Sequence, residues 1–223
     1  MALKLTVPLP TQPDTFPERP PPQEIFFSPL EVTLDPLTLE RVRFAYQASK
    51  YGHAGQKRED NETRYFDHPK GAAWIYIFEL GGRDADIIII ILLHDLSEDQ
   101  YLLSPYRIAL NFGEKIALDI RAITKLKRKL VKGKLVLRET PLEYIHRVIA
   151  RGPQVIVGKL CDRLHNCRTL KNRSREKQLE QVAETDELYL GVLIPALREH
   201  DGTWSEYADK LELLILAALQ PYR

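Results

Sequence analysis

Cysteine is scarce in this chain of 223 residues, in which only Cys161 and Cys167 are present. Two thiols cannot build the dense disulfide framework that stabilises small secreted proteins. If both lie on one helix, their six-residue separation corresponds to roughly 9 Å of rise, which is too far for a bridge. We therefore expect reduced thiols, which are typical of proteins in the cytoplasm.

An excess of charge of either sign is also lacking, because 32 basic residues are balanced by 31 acidic residues and the formal net charge is +1. Such a balance gives no overall field that would attract nucleic acid or a membrane surface. The apolar run IIIIILL is far shorter than the roughly 20 residues that span a bilayer. The N-terminal stretch MALKLTVPLPTQPDTF fits neither a signal peptide nor a transit peptide. The sequence therefore predicts a soluble protein.

Proline, in contrast, is abundant in residues 1–36, which contain nine of the fifteen prolines. Proline disrupts both helices and central strands, so this segment is predicted to be an extended arm. Ile25, Phe26 and Phe27 are the residues that could anchor it to the surface of a domain. A proline-rich ligand for a partner protein is a weaker interpretation of the same segment.

From residue 37 onward the pattern changes to helices. Asp35 and Pro36 have the residue types expected at a helix N-cap and first position, and Gly52 is a natural stop. Further helices are predicted in HPKGAAWIYIFELGG, SPYRIALNFG, EKIALDIRAITKL, TPLEYIHRVIA, PQVIVGKLCDRLHNCRTL, EKQLEQVAETDELYLGVLIPALREH and WSEYADKLELLILAALQ. No alternating strand with a hairpin signal is recognised, and the fold class predicted is all-α.

The segment DADIIIIILLHDLSED is the ambiguous one, because five β-branched isoleucines taken alone favour a buried strand. Two features favour a helix instead. Asp84 can act as an N-cap, and residues 85–97 form a run of helical length without a turn residue. A helix also places Asp95 and Glu98, which are three residues apart, on one side, whereas a strand would separate His94 from Asp95.

Polar residues in three separate segments could meet in one site. His94 and Asp95 follow the isoleucine run, Asp162 lies in VIVGKLCDRLHNCRTL, and His68 directly precedes Pro69. Imidazole and carboxylate groups from several helices are the ligand mixture expected for Mn, Fe or Zn with positions left open for water. The alternative for His94 and Asp95 alone is an ion pair at a helix end.

These segments resemble the HD-domain phosphohydrolases, and most closely the hydrolase domain of the Rel/Spo alarmone enzymes. The resemblance rests on HAGQKR, YFDHP, LLHDLSED, FGEKIALDIRAITKL and GKLCDRLHNCRTL, followed by AETDELY. It implies a helical HD-domain bundle over residues 37–223, preceded by the proline-rich arm of residues 1–36. Because no synthetase half follows these motifs, the chain resembles a stand-alone small alarmone hydrolase.

The resemblance also implies the site residues. One metal ion per chain, usually manganese, would be held by His68, His94, Asp95 and Asp162. Glu98 and Asp99 match the acidic pair that orients and deprotonates the attacking water, although the same two residues could simply form a solvated helix end. The implied reaction is hydrolysis of the 3′-pyrophosphate of ppGpp or pppGpp, which releases pyrophosphate and GDP or GTP.

The implied substrate contacts are Arg58, which matches an arginine that stacks on the purine, and Asn166 and Thr169, which match positions that contact sugar and phosphates. The chain departs from the family pattern at Glu59, where a lysine is usual, and the glycine and proline of that loop are missing. The adenine alarmone ppApp and the 2′-phosphate of NADPH therefore stay open as substrates. A non-catalytic HD protein is disfavoured because all the implied ligands and both acids are present.

The basic stretch KLKRKLVKGKLVLR, residues 125–138, is the one place where attraction to phosphate or RNA could concentrate. It contains no interleaved aromatic residues, so we predict a mobile loop near the mouth of the site rather than a contact with nucleic acid. His165 is interpreted as a helix-packing residue. The oligomeric state cannot be inferred from the sequence.

Overall fold

The computed structural model describes residues 21–96, 104–125, 129–131, 134–136 and 139–223. Eleven α-helices account for most of these residues. They are α1 Gln23–Thr33, α2 Pro36–Gly52, α3 Asp67–Trp74, α4 Ala85–Leu93, α5 Pro105–Phe112, α6 Glu114–Ile123, α7 Pro141–Ile149, α8 Pro153–Arg168, α9 Arg175–Glu184, α10 Ile194–Arg198 and α11 Thr203–Leu219. The all-α fold class is thereby confirmed.

Local sequence signals explain several of the helix starts. The side chain of Asp35 accepts hydrogen bonds from the backbone N–H groups of Leu37 and Thr38, at 3.0 and 3.1 Å, and Pro36 occupies the first turn of α2. Asp84 caps α4 in the same way through the N–H groups of Asp86 and Ile87. Both N-caps were predicted, because they satisfy backbone donors that the helix itself leaves without partners.

The centre of the bundle is formed by α4 and α8. Helix α4 packs against α2, α3, α6 and α8, and α8 also contacts α7 and α11. The five isoleucines of α4 are completely buried on every side of the helix. A helix surrounded by other helices needs no polar face, so the helical interpretation is correct for the isoleucines despite their β-branched composition. The predicted extent to residue 97 is wrong, because the helix ends at Leu93 and His94, Asp95 and Leu96 form a turn.

Two wider turns interrupt the regular helices. Residues Ile75–Glu79 continue α3 as a π-helix, and Thr185–Leu193 form a π-helix between α9 and α10. Short 3₁₀ turns follow α8 at Leu170–Asn172 and α11 at Gln220–Tyr222. Neither π-helix was predicted, because an i to i+5 pattern has no simple signature in the sequence.

The prediction of an extended arm up to residue 36 is wrong for α1. Phe26, Phe27 and Leu30 of this helix are buried in the main core, whereas Ile25 is 45% exposed and does not act as an anchor. Pro29 lies inside α1, where it cannot donate to the carbonyl of Ile25. The hydroxyl of Ser28 donates to that carbonyl at 3.0 Å, which explains how the helix tolerates the proline. The remainder of the predicted arm, residues 1–20, lies outside the described residues.

The prediction of a loop in the basic stretch is also wrong for six residues. Strands β1, Lys129–Val131, and β2, Lys134–Val136, pair antiparallel, with Leu130 opposite Leu135. Their sequence repeats KLV on either side of a short connection, a hairpin pattern that was not recognised in the sequence.

Among the described residues, no helix is both long enough and apolar enough to cross a membrane.

Candidate metal centre

His68 is the second residue of α3, and its side chain points towards α8. Its Nε2 lies 3.0 Å from Oδ1 of Asp162 and 3.5 Å from Oδ2 of Asp95. The ring is only 3% exposed. The first turn of α3 thus carries an imidazole nitrogen to the carboxylates of two other segments of the chain.

His94 and Asp95 directly follow the last residue of α4. Nδ1 of His94 donates to the carbonyl of Ile91 at 2.7 Å, which leaves Nε2 pointing to Oδ1 of Asp95 at 3.1 Å and to Oδ1 of Asp162 at 3.6 Å. The hydroxyl of Thr124 donates to the carbonyl of His94 at 2.7 Å and holds this turn in place. An imidazole whose Nδ1 binds a carbonyl presents its Nε2 to a metal, as is usual in metalloproteins.

Asp162 lies in the middle of α8 and is buried. Nζ of Lys159 donates to its Oδ2 at 2.6 Å, and Nδ2 of Asn166 donates to its Oδ1 at 2.8 Å. Both partners come from the same helix, one turn before and one turn after the aspartate. The hydroxyl of Tyr65 donates in turn to Oδ2 of Asp95 at 3.0 Å. Each carboxylate is therefore oriented by a neighbour of its own.

The ligand atoms of His68, His94 and Asp162 all lie within 4.8 Å of one another, and Asp95 adjoins both histidines. The structure thus brings together all four residues that the sequence suggested as ligands. Two imidazole nitrogens with two carboxylates suit Mn, Fe or Zn. The donor set fits one divalent ion, with the cleft side of the cluster open to water or substrate.

The charges in this cluster keep both carboxylates anionic, whereas His94 must give up a proton before it can bind a metal. Burial raises the pKa of Asp162, but Lys159 and His94 outweigh burial and hold that pKa well below its usual value. Burial lowers the pKa of His94, yet Asp95 and Asp162 outweigh it and raise that pKa to about 9. Burial and the guanidinium of Arg58 lower the pKa of His68 to about 4. His68 is thus a neutral imidazole beside two anionic carboxylates, as a metal ligand should be.

The cluster forms the floor of a cleft of about 630 Å³. Alongside the candidate ligands and a few acidic residues, the lining includes the six cations Arg58, Lys125, Lys159, Arg163, Arg173 and Lys177. Lys159 and Arg163 are buried and paired with Asp162 and Glu184, respectively. The remaining four are less buried, with Arg58 and Arg173 half-buried and Lys125 and Lys177 exposed.

The three predicted substrate contacts are only partly brought together. The guanidinium of Arg58 donates to Oδ1 of Asn166 at 3.0 Å and lies 5.7 Å from the ring centre of Tyr65, all on the wall of this cleft. Thr169 lines a neighbouring cleft of about 930 Å³, and its hydroxyl donates to the carbonyls of His165 and Asn166. Arg58 and His68 line both clefts. Glu98 and Asp99, the predicted water-activating pair, lie outside the described residues.

Two participants in the site, Lys159 and Tyr65, were not predicted from the sequence, and neither were the partners of Glu59. Lys159 precedes Asp162 by three residues, so helical spacing alone could have indicated its contact. Tyr65 contacts a residue 30 positions away, for which the sequence gives no local signal. Glu59 pairs with Nζ of Lys177 at 3.1 Å and with the guanidinium of Arg173 at 3.5 Å. The carboxylate that departs from the family pattern is therefore neutralised by cations that line the same cleft.

Comparison with known proteins agrees with this architecture. The family model of the HD domain matches residues 45–196. The chain is 38% identical over 153 residues to the GTP pyrophosphokinase of Streptomyces antibioticus, which is 68% of this chain and 17% of that protein. It is 34% identical over 173 residues to the guanosine-3′,5′-bis(diphosphate) 3′-pyrophosphohydrolase of Aquifex aeolicus, which is 76% of this chain and 23% of that protein.

The chain thus spans about a fifth of the length of these curated relatives. Among solved structures, it is similar to a metazoan ortholog of SpoT that hydrolyzes ppGpp, with a TM-score of 0.59 and 21% identity. That similarity covers 77% of this chain and 93% of the other, and it confirms the fold. The resemblance to Rel/Spo proteins that the motifs indicated is confirmed by these matches.

Proposed function

Because the chain belongs to the HD domain family, we propose that its cleft hydrolyses a phosphorylated nucleotide with the help of one divalent metal ion. The observation that carries this proposal is the convergence of His68, His94, Asp95 and Asp162 on the floor of a cleft that basic side chains also line. The proposed reaction is the addition of water to the 3′-pyrophosphate of ppGpp or pppGpp, which yields pyrophosphate and GDP or GTP.

Each group has a distinct role in this proposal. His68, His94, Asp95 and Asp162 would hold the ion, with manganese as the proposed metal. When bound, such an ion lowers the pKa of a coordinated water and neutralises phosphate oxygens. Glu98 and Asp99 are proposed, from the sequence, to orient the water and take its proton. Asn166 and Thr169 are proposed to contact the sugar and phosphates, and Arg58 to stack on the purine.

The basic side chains of the cleft could bind the phosphates of a substrate in exchange for their present partners. Lys125 pairs with Glu184, Arg173 and Lys177 pair with Glu59, and Arg58 donates to Asn166. Charge-assisted hydrogen bonds from such groups are among the strongest available to phosphate oxygens. The relatives from Aquifex aeolicus and from Synechocystis, which is 33% identical over 178 residues, are named as 3′-pyrophosphohydrolases or probable ones, in agreement with ppGpp as the substrate.

The position of Glu59 supports a second candidate substrate. Its carboxylate lies on the cleft wall next to Arg58, where it can accept a hydrogen bond from an exocyclic amino group. Guanine offers a 2-amino group and adenine a 6-amino group. Hydrolysis of ppApp, or removal of the 2′-phosphate of NADPH, is therefore the alternative activity of the same site.

The decisive experiment is a substrate panel. Purified protein stripped of metal is supplied with Mn²⁺ and assayed on ppGpp, pppGpp, ppApp and NADPH, with all products resolved by ion-exchange chromatography. We expect GDP and pyrophosphate from ppGpp in equal amounts. Release of inorganic phosphate from NADPH alone, or cleavage of ppApp without cleavage of ppGpp, would overturn the choice of substrate. Inactivity on all four nucleotides would overturn the proposed function.

A further inference from the structure

His165 lies directly behind His68, on the side away from Asp162. It is located on α8, one turn after Asp162, and is 5% exposed. Its Nδ1 lies 3.0 Å from Nδ1 of His68, and the two ring centres are 4.9 Å apart with the planes inclined by 61°. The sequence suggested helix packing for this residue, but its Nδ1 lies at hydrogen-bond distance from a candidate ligand.

The bond between the two rings restricts where their protons lie. A hydrogen bond between two Nδ1 atoms needs one donor and one acceptor, so at least one of the rings is neutral. When Nε2 of His68 binds a cation, the single proton of that ring must lie on Nδ1. Nδ1 of His165 is then the acceptor, and the bond fixes both the tautomer and the orientation of His68.

The absence of a side chain at Gly71 leaves room for the ring of His165. Gly71 lies on α3, one turn after His68, and a Cβ built on it would lie 2.3 Å from both Cδ2 and Nε2 of His165. A glycine inside a helix destabilises the helix relative to alanine. Because Gly71 has no side chain, the imidazole of His165 on α8 lies directly against the backbone of α3, the helix that carries His68. This close approach leaves His165 little freedom to rotate away from His68.

We propose that His165 is a positioning residue of the metal site, which accepts a hydrogen bond from Nδ1 of His68 and so presents Nε2 of His68 to the ion. The inference rests on the proposed metal site and adds to it a residue that does not touch the ion. Loss of comparable outer partners of metal-binding histidines typically weakens metal affinity by about 10- to 100-fold.

A matched pair of substitutions separates positioning from packing. His165→Asn and His165→Leu remove the same ring and introduce side chains of nearly equal size. Only the asparagine offers an oxygen close to the position of Nδ1. Binding of Mn²⁺ to the metal-free full chain is measured by titration calorimetry, and the free energy of unfolding is measured by denaturant titration. We expect similar losses of stability, a 10- to 100-fold weaker affinity in His165→Leu, and a much smaller change in His165→Asn.

Equal Mn²⁺ affinities for the two variants would overturn the inference, because packing alone would then explain His165. If His165→Leu does not fold, His165→Phe fills the ring space without an acceptor and is compared with His165→Asn in its place. Failure of the wild type itself to bind Mn²⁺ would overturn the proposed metal site, and with it this role. The two kinds of failure are therefore distinguishable.

Discussion

Lys159 donates a hydrogen bond of 2.6 Å from Nζ to Oδ2 of Asp162, and both side chains are buried in α8. Because the ammonium occupies one oxygen, the other oxygen, Oδ1, faces His68 and His94. A buried carboxylate without a positive partner would tend to take up a proton. Lys159 therefore keeps Asp162 anionic and oriented before any metal is present.

Removal of the metal should abolish activity reversibly. We expect chelation to stop turnover and Mn²⁺ to restore it, with one ion per chain by elemental analysis. Asp162→Ala should lose the ion because it removes a proposed ligand. Asp119→Ala is the matched control, since Asp119 is an equally buried carboxylate paired with Arg151 and Lys115. Turnover that survived complete removal of metal would contradict the proposal.

Glu98→Gln and Asp99→Asn test the water-activating role independently of metal binding. Each variant should still bind Mn²⁺ and nucleotide, because neither residue is a proposed ligand. Turnover should fall by roughly two to four orders of magnitude, the range for loss of a general base. Rapid-quench assays together with calorimetry separate the two effects. Near-normal turnover in both variants would show that another group takes the proton.

Arg58→Ala should weaken nucleotide binding more than it lowers the maximal rate. A stacking contact acts equally in the ground state and in the transition state, so its loss appears in KM. The cation–π range predicts about 2- to 30-fold weaker binding. Arg41→Ala, on the outer side of α2, serves as the control because Arg41 is paired with Asp86 and lines neither cleft. A variant that lost rate but kept its KM would contradict stacking.

Glu59→Lys should tighten binding of ppGpp. The substitution adds a cation at the cleft wall and also frees Lys177 and Arg173 from the carboxylate that they now contact. Catalytic efficiencies for ppGpp and ppApp are compared in the wild type and the variant. Glu40→Lys makes the same change of charge on the exposed face of α2. If both variants altered efficiency equally, the effect would come from net charge rather than from the cleft.

Glu184 should make stability depend on pH. Burial alone would raise its pKa, but Arg163 and Lys125 outweigh burial and lower the pKa from 4.5 to about 2. Its contribution is therefore fully present above pH 4.5 and is lost as the pH falls towards 2, because the unfolded chain takes up the proton first. Glu184→Gln should cost about 2 to 3 kcal/mol at pH 7, and this deficit should shrink below pH 4.5. Denaturant titrations across this range, with exposed Glu187→Gln as the control, measure the difference.

The sequence predicted the helices well where their signals are local. Asp35, Pro36 and Gly52 delimit α2 because capping and proline geometry act within one turn. The metal site needed the family resemblance, because nothing in the spacing of His68 and Asp162 indicates that α3 meets α8. The motifs of related proteins carried that information, and the distances agree with it.

The predictions from the sequence were wrong or incomplete where a contact offsets an unfavourable residue. Pro29 is unfavourable inside a helix because it cannot donate to the carbonyl of Ile25. The hydroxyl of Ser28 donates to that carbonyl instead. The pairing of Glu59 with Lys177 spans 118 positions, so the spacing of residues in the sequence does not indicate it. Such contacts form only in the folded protein, and the periodicity of the sequence does not indicate them.

Helix α1 ties the start of the described chain to the helix that carries His68. The ring centres of Phe26 and Tyr46 are 5.2 Å apart. The ring centre of Tyr46 lies 5.0 Å from that of Phe66, the N-cap residue of α3, in an edge-on arrangement. Nζ of Lys70, two residues after His68, also donates to the carbonyl of Pro21. A protease that cut the chain between α1 and α2 would leave every proposed ligand in place but remove Phe26, which packs against Tyr46 beneath the start of the helix that carries His68. The smallest fragment that retains the intact site should therefore begin before α1, well outside the residues that the family model matches.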